Sequence, residues 1–488
     1  VTPPATGELA QLLIPALSWR REDGYAAARP VIEQALALGV GGFILFGGAQ
    51  DGVSALTKEL RQRSRVPLLI AADLERGAGE QFAGATGLPP LAAIATLGDV
   101  DTVRRAARLT AREARTIGIN WDFAPVCDLD LDPANPIVGA RAFGADPVLT
   151  GQYAAQWIGA CQAEGVLACG KHFPGHGRTT ADSHRELPVV AASVDTLMAT
   201  DLVPFRAAID AGVASLMTAH VAYPALDASG APATLSREIL HWLLRERLKF
   251  DGLVVSDAMS MDGIRQGRTE VEAVVAAVRA GCDLVLAPGD LEAALDALTR
   301  ASRERVLDDE RVRHSLRRRL KWAQWASPPN AYRRPSVSDT AWGAGLAERV
   351  ITVVRGTVPT LAPPFDVMVV DDDAGAVDRA PFADTLGEGG WDVRCGDTLT
   401  PTARTPVIVA LFGELRAWKG RVGYGEPARA ALDDCCQRIA AAGREAVVVQ
   451  FTHPRIAAEI PSVATVVSAW GGERAMQVAA ARWLRRRV

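Results

Sequence analysis

Three of the chain's seven histidines, His172, His176 and His184, fall in one segment, Gly170-Lys-His-Phe-Pro-Gly-His-Gly-Arg-Thr-Thr-Ala-Asp-Ser-His184, with Lys171 beside the first. Imidazole changes charge near neutral pH, so this concentration points to proton transfer or metal ligation, the bland alternative being satisfied surface histidines. A metal could draw on His172, His176, Asp182 and His184. Yet His172 and His176, four apart, converge readily only on one helix face, and Pro174 and Gly175 between them forbid that helix. Acid–base work fits the spacing better. Asp182, two residues before His184, can hold one ring nitrogen, fix the tautomer and favour the protonated form, leaving the other nitrogen to give a proton. A nucleophile or stabilising carboxylate must come from elsewhere. Asp257 ends the very apolar run Gly252-Leu-Val-Val-Ser-Asp257, where a charge belongs at the mouth of a sheet rather than within it; its plainer use would be to cap the following helix.

Such groups need a frame. Up to about residue 325 the sequence alternates short β-rich runs (12–18, 42–46, 67–73, 119–126, 167–173, 214–221, 252–257 and 283–287) with amphipathic helical stretches such as 27–38, 103–116, 151–164, 194–211 and 271–280. Eight such units predict an α/β fold with an N-terminal (β/α)8 TIM barrel over 1–325, whose active loops follow the strand C-termini. The histidine segment directly follows the fifth run and Asp257 ends the seventh. An open doubly wound sheet is the alternative, but its glycine fingerprint is missing: Gly77-Ala-Gly79 lacks the third glycine. Breakers from Ala326-Ser-Pro-Pro-Asn330 to Arg334-Pro-Ser336 mark a linker, 326–339. Residues 340–488 again carry buried-type strands and helices and predict a smaller three-layer α/β/α sandwich, in which Gly420–Gly425 and Trp470-Gly-Gly472 read as turns and no chemistry is identifiable.

Composition limits the partners. The chain has 488 residues, 49% apolar and 23% charged, with 53 basic against 57 acidic side chains and a net charge of −4. That balance offers no global field for nucleic acid or an anionic membrane, and the basic stretches 317–321 and 485–487 read as solvated helix ends, so a small neutral molecule is the expected partner. Seven cysteines without a CxxC spacing argue against a disulfide framework or structural zinc. With no long apolar stretch and no leader-like start, a cytoplasmic protein needing no cofactor is expected.

These residues resemble glycoside hydrolase family 3, in its β-N-acetylglucosaminidase branch. The branch's Lys-His-Phe-Pro-Gly-His-Gly followed by Asp-Ser-His is present at 171–177 and 182–184. Its nucleophile motif is similar to Ser256-Asp257-Ala-Met-Ser-Met261, its arginine-bearing stretch to Asn135-Pro-Ile-Val-Gly-Ala-Arg-Ala-Phe143, and its early Asp-x-Glu to Asp73-Leu-Glu75. The four blocks keep their order over roughly residues 10–320, and a trailing α/β domain is common in the family. The resemblance implies Asp257 as nucleophile, His184 as general acid/base with Asp182 as its partner, and Asp73, Arg141, Lys171 and His172 as contacts to the sugar. One position departs: Gln81 stands where a further substrate-binding arginine is expected.

The implied reaction is retaining hydrolysis of terminal N-acetylglucosamine from cell-wall fragments or chitin oligosaccharides. A histidine can replace the second carboxylic acid because the charge on Asp257 changes during turnover. Anionic Asp257 helps hold His184 protonated, and once the glycosyl ester forms the imidazole can act as base. Phosphorolysis on the same fold is an alternative, since an incoming phosphate meets less negative charge from a histidine than from a carboxylate. A metal-dependent hydrolase using His172, His176 and His184, and a silent sugar-binding protein, are the remaining readings.

Overall fold

The computed structural model describes residues 4–183, 185–326, 336–360, 364–373, 378–388, 393–396, 405–414, 419, 421–462 and 465–487. Contacts divide the chain into two compact units, the first formed by Val1–Ala85, Asp99–Val138 and Ala142–Pro335, the second by Thr86–Gly98, Gly139–Arg141 and Ser336–Val488.

In the first unit the strands are β1 (Leu13–Ile14), β2 (Ala16–Ser18), β3 (Gly42–Phe46), β4 (Leu69–Ala72), β5 (Trp121–Asp122), β6 (Leu167–Phe173), β7 (Ser215–Thr218), β8 (Leu253–Val255) and β9 (Val285–Leu286). β1 and β2 are one stave interrupted at Pro15, which has no N–H to give to a ladder. β2 to β8 pair in parallel in chain order, and β9 pairs with β1 through Leu13↔Val285 and Ile14↔Leu286. A bridge between Val255 and Leu284 joins β8 to β9 and closes the ring as a (β/α)8 barrel. Alternate side chains fill its interior: Ile14, Ile44, Leu69, Ala71, Trp121, Phe123, Leu167, Cys169, Met217, Val255 and Leu286 form one buried cluster. Gly42 is required where β3 meets β4, because a Cβ there would stand 2.0 Å from the Leu69 carbonyl oxygen.

Several outer helices start where a side chain satisfies their first N–H groups. Asp99, Asp146, Asp290 and Asp308 cap four of them, and Thr269 with Glu272 forms a capping box. The segment expected as one helix over 194–211 is two, Val194–Ala199 and Val203–Asp210, because Pro204 is tolerated only in the first turn of a new helix.

The second unit holds a six-stranded sheet of β10 (Thr352–Arg355), β11 (Phe365–Asp371), β12 (Val393–Gly396), β13 (Val407–Phe412), β14 (Ala446–Phe451) and β15 (Thr465–Ser468), in the order β10-β15-β14-β13-β11-β12. Only β10 runs antiparallel to its neighbour. Strand residues of alternating parity face opposite ways. Phe365, Ile408, Val449 and Val467 pack with Ala347, Phe382 and Met476 of three helices, while Met368, Val409, Leu411 and Val448 pack with Leu432, Cys435 and Ile456. The result is the α/β/α sandwich. Ala92, Ala93 and Ala140, from two short excursions of the barrel's chain, are buried in the first of these two cores. A single linker boundary does not register such excursions, since each is too short to carry its own periodicity. Of the turn expected over 420–425, Gly420 lies outside the described residues; Arg421 pairs with Asp372, whose Oδ1 also accepts the Gly425 N–H at 3.1 Å.

Among the described residues no helix is long and apolar enough to cross a membrane. Cys127, Cys161, Cys169, Cys282, Cys435 and Cys436 are free thiols and buried.

Candidate active site

Lys171 lies in β6 with its side chain 2% exposed, and its ammonium is held by two carboxylates, Asp73 Oδ1 at 2.7 Å and Glu75 Oε1 at 2.6 Å. Both acids follow the end of β4. An ammonium is buried at acceptable cost only when so paired, and the pairing fixes the end of β6 against the loop after β4. Asp73 stays 28% exposed, open to a ligand above the lysine. Nearby, burial and the Glu75 charge push the Glu80 carboxyl up to about 8, and its Oε2 accepts the Arg76 N–H at 2.9 Å.

His172, the next residue of β6, faces Asp128 with Nδ1 2.7 Å from Oδ2. The other Asp128 oxygen accepts the backbone N–H groups of His172 (3.1 Å) and His176 (2.6 Å). Burial alone would raise the Asp128 carboxyl, but His172 and His176 outweigh it and hold it below its usual value. Burial pushes the His176 imidazole down to about 4, so it is neutral at physiological pH. The Thr179 hydroxyl donates to the His176 carbonyl at 3.0 Å, so His176 Nδ1 donates to Thr179 Oγ1 at 2.7 Å and its Nε2 accepts from Ser183 Oγ at 3.2 Å.

Asp182 is buried, and its carbonyl accepts the N–H groups of Arg185 (2.9 Å) and Glu186 (3.1 Å). His184 lies outside the described residues. Asp257 follows β8 and is half-buried, with Oδ1 accepting the Ala258 N–H at 2.7 Å. Its turn is held from two sides: His220 Nε2 donates to the Ala258 carbonyl at 3.1 Å, and the Met259 N–H donates to the Leu286 carbonyl at 2.9 Å. The loops carrying Asp182 and Asp257 touch directly. Gly263 N–H donates to the Ser183 carbonyl at 3.2 Å, and a Cβ on Gly263 would stand 2.3 Å from that oxygen.

These groups all stand at the C-terminal ends of barrel strands: a gripped cation, an imidazole and carboxylates, suited to a polyhydroxylated ligand. Residues 7–321 match the Glycosyl hydrolase family 3 N terminal domain. The chain belongs to glycoside hydrolase family 3. It is 32% identical over 485 residues to a β-N-acetylglucosaminidase/β-glucosidase of Cellulomonas fimi, covering 89% of this chain and 84% of that protein. A β-hexosaminidase of Thiobacillus denitrificans is 40% identical over 271 residues, 54% of this chain and 75% of that one. A solved family 3 β-N-acetylglucosaminidase from Paenibacillus sp. str. FPU-7 superposes with a TM-score of 0.85 at 28% identity, covering 100% of this chain and 97% of that chain.

As a family 3 glycoside hydrolase the chain is an enzyme acting on carbohydrate. Of the residues singled out in its sequence, the structure brings Asp73, Lys171 and His172 together and joins the segments bearing Asp182 and Asp257. Arg141 ends the 3-10 turn Gly139–Arg141, half-buried, and groups with the second unit. Gln81 is engaged with the loop after β3, its Oε1 accepting the Gly47 N–H at 3.3 Å. Among the described residues no group of three His, Cys, Asp or Glu side chains is placed to hold a metal. His176 in particular spends both ring nitrogens on hydroxyls.

Sequence reasoning passed over Glu75, Asp128 and His220. Glu75 lay inside a quoted motif without a role. Asp128 and His220 carry a weaker signal, a polar residue just past or within an apolar run, which a strand end shares with any loop.

Proposed function

We propose that this family 3 enzyme is a retaining exo-β-N-acetylglucosaminidase acting on small cell-wall fragments or chitin oligosaccharides. The observation that carries the reading is the Lys171 ammonium clamped between Asp73 and Glu75 beside His172, at the same end of the barrel as the Asp257 turn. Charged groups held rigidly in this way give directional hydrogen bonds to sugar hydroxyls and fix the ring for reaction. The relatives named for β-N-acetylglucosaminidase and β-hexosaminidase activity support the choice of sugar.

In this scheme Asp73, Arg141, Lys171 and His172 bind the terminal sugar. The Asp257 carboxylate attacks the anomeric carbon while His184, partnered by Asp182, gives its proton to the departing oxygen, leaving a glycosyl ester on Asp257. With that negative charge gone, neutral His184 takes a proton from water, whose oxygen attacks the same carbon and frees Asp257. Two inversions return the original configuration.

Incubation with a fluorinated, slowly released N-acetylglucosaminide should leave a sugar adduct on the peptide containing Asp257. An active enzyme labelled elsewhere, or not at all, would sink the assignment. Running a chromogenic N-acetylglucosaminide against the matching glucoside, each with and without phosphate, checks the sugar and the acceptor. Free N-acetylglucosamine at a rate indifferent to phosphate is expected, whereas a sugar phosphate would mean phosphorolysis.

A further inference from the structure

We infer that Asp128 is a positioning residue that locks His172 with its proton on Nδ1 and leaves Nε2 to the sugar; the inference rests on the functional reading above for what His172 contacts. The Asp128 side chain is 0% exposed. Oδ1 is fixed by two backbone N–H groups, of His172 and His176, which flank the turn after β6. That leaves Oδ2 one direction, toward His172 Nδ1 at 2.7 Å. A carboxylate only accepts, so Nδ1 must carry the proton. Nε2, on the far side of the ring, has no hydrogen-bond partner among the described residues, although the ring is almost wholly buried. That nitrogen is not one of the fully buried unpartnered atoms, so it is open at the surface of the site and, as the ring's acceptor, can take a hydroxyl proton.

The same carboxylate reaches further. The His176 N–H that it accepts belongs to the residue whose Nε2 takes the Ser183 hydroxyl, and the Ser183 carbonyl takes the Gly263 N–H beyond Asp257. One buried acid thus anchors both the sugar-facing imidazole and the segment bearing Asp182.

Asp128→Asn separates these roles. Its Oδ1 can still accept both backbone N–H groups, but its amide NH2 faces Nδ1, and His172 must move its proton to Nε2. In protein carrying 15N-histidine, one imidazole should change from the Nδ1–H to the Nε2–H pattern. On a chromogenic N-acetylglucosaminide kcat/KM should fall about 10- to 100-fold, the scale of one mismatched buried polar contact, with the melting temperature nearly unmoved. In a His172→Gln background the further loss from Asp128→Asn should vanish, because the acid acts through that ring. A purely structural Asp128 would instead give losses that multiply, or an unchanged tautomer, and either result overturns the inference. If Asp128→Asn does not fold, the wild-type spectrum decides: an Nε2–H tautomer at His172 refutes the proposal. Because the tautomer is read without turnover, a wild-type protein inactive on N-acetylglucosaminides would defeat the functional reading separately.

Discussion

Asp122 should cost the barrel stability in proportion to pH, and removing its charge should return it. Trp121 and Phe123 point into the barrel, so Asp122 between them points outward, under the helix Pro147–Ala163 that carries Trp157. It is 0% exposed, and the Trp157 indole N–H and the Leu74 backbone lie close enough to favour its charge weakly without making a well-formed hydrogen bond to either carboxyl oxygen. Burial pushes its pKa from 3.8 up to about 7, with the Lys171 charge and the weaker polar contacts of Trp157 and Leu74 only partly opposing. The sign follows from proton binding. Between those two values the folded protein holds a proton that the unfolded chain has lost, so stability is full below pH 3.8 and declines as pH rises toward 7. At ~1.4 kcal/mol per unit, a difference of about 3 units makes the penalty about 4 kcal/mol at neutral pH and roughly half that near pH 5. Asp122→Asn cannot ionise. Relative to wild type, its barrel transition in scanning calorimetry at pH 4, 5, 6, 7 and 8 should move upward with pH and level off above 7. A difference between the two proteins that stays constant across this range would show that Asp122 is already ionised in the fold and refute the argument.

Three other changes test the site. Lys171→Met leaves Asp73 and Glu75 facing each other without their cation, and should lower stability by about 3 kcal/mol, as breaking buried pairs does, while reducing kcat/KM by more than 100-fold; denaturation and steady-state kinetics check both, and near-normal activity would remove Lys171 from the sugar site. Gly263→Ala drives a methyl against the Ser183 and Glu186 carbonyls, 2.3 and 2.8 Å from the added carbon, so kcat should drop about tenfold or more with the Asp182 segment displaced; unchanged kcat means that this contact does not set the geometry. Asp257→Asn should cut kcat by at least about 1,000-fold without altering the melting temperature, and residual activity within tenfold of wild type would exclude it as nucleophile.

The amino-acid sequence determined the elements because their signals are local. Alternating β-rich runs and amphipathic stretches are periodic within a dozen residues, and each of the eight expected runs contains barrel strand. Pro15 splitting the first stave and Pro204 dividing a helix obey equally local rules. The edge strands β10 and β12 carry a weaker local signal, being short and, in β10, exposing Val353 and Val354 where a buried strand would hide them. The motif segment was equally legible, since its histidines, lysine and acids are close in the chain. What pairs with what was not. Lys171 meets Asp73 and Glu75 across almost a hundred residues, and Asp128 reaches His172 across forty-four. Such partners are chosen by strand order around the barrel, which sets which C-terminal ends are neighbours. Only the closed ring turns an isolated acid at position 128 into the carboxylate behind an imidazole, because hydrogen bonds depend on distance in space and carry no trace of separation along the chain.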